Sequence, residues 1–278
     1  MAKDWLSVEP KSLASIRGVA FDIDDTFSSE GVLSSEAFQS LWDLKRAGFF
    51  LVPITGRPAG WCDHFARFWP IDAIVGENGA FTFFMKDGKR GRLETPGGDP
   101  TREKRMAELR ATVLREFPEA KFASDQLYRE NDLAIDFCED VNPWPRSEVD
   151  RLVSVCEKAG AHAKVSSIHV NAWFGDFDKQ KGFQAWLAAG SPGLGRPFPE
   201  MFHIPATQAI PPKLSEWIFA GDSPNDEPMF RYFPNSVGVA NLANFMDRLK
   251  TPPTYLTSKP SGQGFVEMAK KLLASRHA

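Results

Sequence analysis

Cysteine is scarce. The 278 residues hold only Cys62, Cys138 and Cys156. An odd count, with no pair at metal-ligand spacing, argues against a disulfide framework and fits a reducing compartment. The remaining soft ligands are no better grouped: His64, His162, His203 and His277 are scattered and suggest no zinc site. No apolar run approaches the roughly 20 residues that span a bilayer. The N-terminal Met-Ala-Lys-Asp-Trp-Leu is too polar for a signal peptide. There is no basic surplus either. The net charge is −3 and the pI about 6.0, so nothing points to nucleic acid or an acidic lipid surface. Internal repeats and low-complexity segments are also missing. These absences lead to the expectation of a soluble, cytoplasmic protein with no nucleic-acid or membrane partner.

What is present is core material. Hydrophobic residues make up 42% and charged residues 25%, enough for a sizeable interior. The length suits one large domain or two ordinary ones, at roughly 100–200 residues each. Twenty-three phenylalanines and eight tryptophans point to a thick core.

The stretch with most chemical content is Val19-Ala20-Phe21-Asp22-Ile23-Asp24-Asp25-Thr26. A buried-strand pattern ends in three carboxylates within four positions, an arrangement that repels itself unless a cation is near. Thr26 reads as a cap of the turn. Around this stretch the elements alternate. A strand is predicted over 16–23, a small flap over 27–33, and a helix from Ser34 or Ser35 to Gly48. A strand over 49–54 is followed by the turn Thr55-Gly56-Arg57-Pro58. A helix over 59–69 carries Trp61, Phe65 and Phe68 on one face. A strand over 72–75 then ends in Gly76-Glu77-Asn78-Gly79. This order predicts a parallel sheet covered on both faces, with its site beyond the carboxyl ends of the strands.

The pattern then changes. A hairpin at 81–94, a helix after Asp99-Pro100, a strand over 133–137, a helix over 146–159 and strands over 161–166 and 168–174 read as an α+β insert. Alternation returns with a helix from Lys181 and a strand over 217–220 ending in Gly221-Asp222-Ser223-Pro224-Asn225-Asp226. A strand over 236–240, a helix over 242–249, a strand over 254–257 and a final helix complete the chain. The predicted fold class is thus α/β: a Rossmann-like parallel sheet core with helices on both faces, plus an inserted α+β cap domain. The expected division is 1–83 and 178–278 for the core and 84–177 for the cap. Residues 1–15 read as a tail on the surface.

Asp22-Ile23-Asp24-Asp25-Thr26 resembles the DxDxT signature of the haloacid dehalogenase-like (HAD) superfamily, with Asp25 where glycine is common. Residues two apart in an extended segment share a side, so Asp22 and Asp24 can face one phosphoryl group. Thr55, Lys181 and Gly221-Asp222-Ser223-Pro224-Asn225-Asp226 resemble the second, third and fourth motifs in order. Lys181 is preferred over the nearby Lys179 because the family form has lysine followed by glycine at a helix start. The insert lies where the family's type-2 (subclass IIB) cap lies, as in sugar-phosphate, sucrose-phosphate and mannosyl-phosphoglycerate phosphatases.

The resemblance implies a phosphoric monoester hydrolase working through an aspartyl-phosphate on Asp22, with Asp24 as acid and base. It implies phosphate or substrate contacts from Thr55, Gly56, Arg57, Asn78, Lys181 and Asn225. It implies Mg²⁺ held by Asp22, Asp222 and the Asp24 main-chain carbonyl, with Asp226 behind them. The implied partner is a small phosphorylated metabolite, most simply a sugar phosphate. A phosphomutase of the same fold and a non-catalytic phosphometabolite-binding protein are the alternatives. In the cap, alternation puts His169 and Asn171 on one face, solvent-facing or toward substrate, while Trp173 reads as cap packing.

Overall fold

The computed structural model describes residues 2–205 and 208–277. Strand β1 (Lys3–Asp4) is followed by β2 (Gly18–Phe21), helix α1 (Ser35–Arg46), β3 (Phe50–Pro53), α2 (Ala59–Phe68) and β4 (Ala73–Gly76). A hairpin follows, β5 (Phe81–Lys86) and β6 (Lys89–Glu94). Next come α3 (Arg102–Glu116), β7 (Lys121–Phe122), β8 (Asp132–Asp136), α4 (Arg146–Lys158), β9 (His162–Val165) and β10 (His169–Trp173). The last group is α5 (Lys179–Ala188), β11 (Trp217–Gly221), α6 (Glu227–Tyr232), β12 (Asn235–Gly238), β13 (Tyr255–Leu256) and α7 (Ser261–Ala274).

The central sheet runs β1-β13-β12-β11-β2-β3, all parallel. An Ile54–Val75 bridge continues it to β4. Its strands have apolar side chains on both faces. Val19 and Phe21 of β2 pack with Leu41 and Leu44 of α1 and with Phe265 and Met268 of α7. Ala20, between them, faces Phe183 and Trp186 of α5 and Met229 and Phe230 of α6. The period of two thus sends alternate residues into two separate cores, which is why helices cover both faces.

The insert has a sheet of its own, the antiparallel β7-β8-β10-β9. Leu133, Ile135, Val170 and Ala172 point to α3 and α4, where they meet Leu109, Val113, Leu152 and Cys156. The other residues of β8 and β10 face the central sheet.

Three expectations change here. The N-terminal segment is not a surface tail: β1 pairs with β13, and Trp5 is fully buried against Tyr255. The 81–94 hairpin pairs with β4, not with the sheet of the insert. Residues 240–248 form a 3₁₀ helix where a regular helix was predicted.

Candidate active site

β2 and β11 are neighbours in the middle of the sheet, with Phe21 opposite Ala220. Their carboxyl ends therefore bring Asp22 and Asp222 together. Asp22, Asp222 and Asp226 offer carboxylate oxygens that lie within 4.8 Å of one another, all buried. The cation beside them is Lys179, whose Nζ is 3.0 Å from Asp22 and 2.7 Å from Asp226. The second Asp226 oxygen accepts the backbone N–H of Asp222 at 3.0 Å, so this side chain fixes both the lysine and the turn.

Burial pushes the Asp22 carboxyl up to about 8. Lys179 opposes the rise, while Asp226 and Asp24 add to it. Burial, with Asp226 and Asp22 beside it, also raises Asp222 well above the carboxylate range. Lys179 is itself raised: burial acts against its charge, but Asp22 and Asp226 outweigh it. With one ammonium for three buried carboxyl groups, the cluster is short of positive charge, and the upward shifts of Asp22 and Asp222 express that shortage. An all-oxygen donor set of this kind fits a small hard divalent cation. Thr26 Oγ donates to Asp222 Oδ1 and Asn241 Nδ2 to Oδ2, each at 3.1 Å, which orients the Asp222 carboxylate.

The Asp24 side chain lies in the fork of Arg57. Nε lies 3.0 Å from both oxygens, and Nη2 2.7 Å from one. The same guanidinium reaches Glu139 at 2.9 Å and Asp125 at 3.3 Å in the insert, and lies over the Trp61 ring. Arg57 is 5% exposed, so the surface-pairing alternative for it is overturned. Thr55, fully buried, accepts the Arg57 N–H at 3.0 Å and keeps its own hydroxyl proton to donate. Asn225 and Asn78 meet at 3.5 Å beside them.

The insert closes over this edge. Arg129 donates to the Gly56 carbonyl at 2.8 Å and pairs with Asp125 and Asp132. Asp132 in turn accepts from Asn171 at 2.8 Å and from Asn78 at 3.4 Å. Arg129, His169 and Asn171 line a narrow cleft together with Asp22, Asp24 and Asn225.

Several solved structures share this fold. The C-terminal domain of trehalose-6-phosphate phosphatase from C. albicans superposes with a TM-score of 0.68 at 11% identity, covering 99% of this chain and 98% of that one. Sucrose-phosphatase from Synechocystis sp. gives 0.60 at 14% identity, covering 92% and 97%. The HAD subclass IIB sugar phosphatase BT4131 gives 0.59 at 14%, covering 91% and 98%. The chain has the HAD-like fold. No family model and no curated protein sequence matches it.

Within the HAD-like core one expected site residue is displaced. Lys181, the lysine expected at the phosphate, has a side chain 42% exposed and pairs with Asp176. Lys179 occupies the carboxylate cluster instead. Asp178 caps α5 by accepting the Lys181 N–H, so Lys179 is the first helical residue. Two residues on, the helix has turned by about 200°, which carries Lys181 away. Gly182 lies three residues after Lys179 and shares its face. A Cβ there would sit 2.7 Å from the Gly79 backbone, so this glycine serves the close approach of α5 to the 76–79 turn.

Four more readings shift. Asp226 joins the carboxylate cluster directly. Thr26 contacts Asp222 and does not cap its turn. His169 and Asn171 are each 2% exposed and face the cleft, so the solvent-facing alternative is overturned. Trp173 packs against Phe177 within the hydrophobic cluster of the central sheet, not in the core of the insert where it was expected. Arg129, Asp132 and Glu139 had no sequence signal beyond being charged.

Proposed function

We propose that this chain is a Mg²⁺-dependent phosphatase that hydrolyses a small phosphorylated metabolite, a sugar phosphate, through an aspartyl-phosphate on Asp22. The observation that carries the reading is Asp22 itself: a buried carboxylate at the carboxyl end of a central parallel strand, faced by a buried lysine and two further aspartates. The likeness of the fold to sucrose-phosphatase and to a subclass IIB sugar phosphatase supports it.

The steps follow from the side chains. An Asp22 oxygen attacks phosphorus as the ester P–O bond breaks. The departing oxygen takes a proton from the Asp24 carboxyl, and Lys179 and the Thr55 hydroxyl offset charge on the phosphoryl oxygens. Water then attacks the acyl phosphate, Asp24 takes its proton, and the bond to Asp22 breaks to release phosphate. Delivery of that proton requires Asp24 to leave the Arg57 fork. Mg²⁺, held by Asp22, Asp222 and the Asp24 main-chain carbonyl, would supply positive charge against anion–anion repulsion.

The test is direct. Asp22→Asn is expected to abolish Mg²⁺-dependent release of phosphate, and chelation to silence the wild type. Undiminished turnover by Asp22→Asn ends the proposal. Assay of free phosphate against isomerised substrate separates hydrolysis from mutase chemistry.

A further inference from the structure

Beyond the narrow cleft lies a second compartment of about 270 Å³. It shares Asp24, Arg57 and Ile168 with the cleft, so it adjoins the place where the Asp22-bound phosphoryl group would lose its leaving group. Its wall carries four carboxylates, those of Asp24, Asp25, Glu30 and Glu139, and the single cation Arg57. That cation is already divided between Asp24 and Glu139.

The compartment is built to hold its charge. Asp136, buried at the end of β8, accepts backbone N–H groups from Cys138, Glu139 and Asp140, and this fixes the loop that presents Glu139. Burial works against ionisation of Glu139, but the His169 imidazole and the Arg57 guanidinium prevail and hold its carboxyl at about 2. Asp25 keeps Glu30 in place by accepting its N–H at 2.9 Å. One polar group also stands ready for a ligand: Ser167 Oγ, a buried atom on a residue of the compartment wall, has no hydrogen-bond partner. His169 Nε2, 2.9 Å from Glu139, is engaged with that carboxylate and helps to fix it.

An anionic leaving group is repelled here. A second phosphate or a carboxylate would enter a space whose wall already holds surplus negative charge. Neutral hydroxyls can donate to the carboxylates. A protonated amine can donate and also offset the surplus.

Resting on the phosphatase reading above, we infer that this enzyme selects monophosphates whose leaving group is a hydroxyl-bearing amine, an amino sugar or amino alcohol, through Glu139 and Glu30. The bond cleaved is the ordinary phosphoester, and the amine stays protonated and unreacted throughout.

The experiment compares kcat/KM for glucosamine 6-phosphate, glucose 6-phosphate and fructose 1,6-bisphosphate, with p-nitrophenyl phosphate as a leaving group that carries no amine or hydroxyl. The amino sugar is expected to exceed the neutral sugar by about ten-fold, a difference of about 1.4 kcal/mol, and the bisphosphate to rank last. Glu139→Gln is expected to bring the amino-to-neutral ratio close to one. A folding defect would lower both substrates together and leave that ratio alone. Equal rates for the two sugars, a preferred bisphosphate, or an unchanged ratio in Glu139→Gln overturns the inference. Failure to hydrolyse even p-nitrophenyl phosphate with Mg²⁺ instead overturns the phosphatase reading beneath it.

Discussion

Lys179 and Lys181 are two residues apart and face opposite fates. Lys179 is buried between Asp22 and Asp226, so removing its charge leaves carboxylates unpaired in the interior. Breaking a buried pair in this way costs about 3–5 kcal/mol. Lys179→Met is therefore expected to lose turnover and to lower the denaturation midpoint markedly. Lys181 pairs with Asp176 at the surface, where such pairs are worth about 0–1 kcal/mol. Lys181→Ala is expected to keep both activity and stability close to the wild type. Urea denaturation and phosphate release on the two variants check the pair, and equal damage from both would reverse the assignment. At this scale the acidic motifs were legible because Asp22, Asp24 and Asp222 stand at strand ends marked by apolar runs. The lysine was not legible, because Gly182 is present for a steric reason and does not mark its neighbour Lys181 as the site lysine. Arg129 and Glu139 were not legible at all. Their direction depends on where the insert lies, which no local spacing encodes.

At the scale of elements, the approach of α5 to the turn after β4 sets the geometry of the site. Glu77, Asn78 and Gly79 all have positive φ, and a Cβ on Gly79 would fall 1.9 Å from the Asp178 carbonyl. The helix start and the turn are thus pressed backbone to backbone, with Gly182 facing Gly79. Gly182→Ala adds one methyl against atoms that cannot swing aside, and overpacking of this kind costs about 1–3 kcal/mol. Because α5 carries Lys179 three residues earlier, the same variant is expected to lower kcat along with stability. Comparison of the urea midpoint and kcat tests this, and a stable, fully active Gly182→Ala would show that α5 can retreat freely. Most elements were well marked in the sequence, since Ser34 caps α1 and apolar runs mark the parallel strands, whereas α5 begins two residues before the expected Lys181 because Asp178, expected in the hinge, is its cap. The N-terminal β1 was missed because two exposed residues, Lys3 and Asp4, have no apolar pattern to show. Their pairing with β13 becomes visible only when the far end of the chain is in place. On α2 the face expected from Trp61, Phe65 and Phe68 is not the buried one: Trp61 and Phe68 are exposed, and Phe65 is buried together with Ala59, Cys62 and Ala66.

At the scale of the whole molecule, core and insert are joined by buried polar contacts, and Glu77 is the pin among them. Its carboxyl accepts N–H groups from Ala59 in α2 and from Glu130 and Asn131 in the insert. Burial, with Asp132 beside it, raises this carboxyl to about 7, although the three N–H groups pull it down. A carboxyl raised on folding binds its proton more tightly in the folded state. Its contribution is fully favourable below the ordinary glutamate range and is lost as pH rises from about 4.5 to about 7, by at most about 1.4 kcal/mol per unit. The wild type is therefore expected to lose stability across that window, and Glu77→Gln to lose less of it. Other groups titrate there as well, so the quantity to measure is the difference between the two stability curves at each pH. Opposite in sign is Glu139, held low by His169 and Arg57 across the same seam. The stability it contributes is present above the ordinary carboxylate range and fades only as pH falls toward about 2, outside the Glu77 window. A difference curve that is flat from pH 4.5 to 7 would show that the Glu77 carboxyl is not strained by its burial.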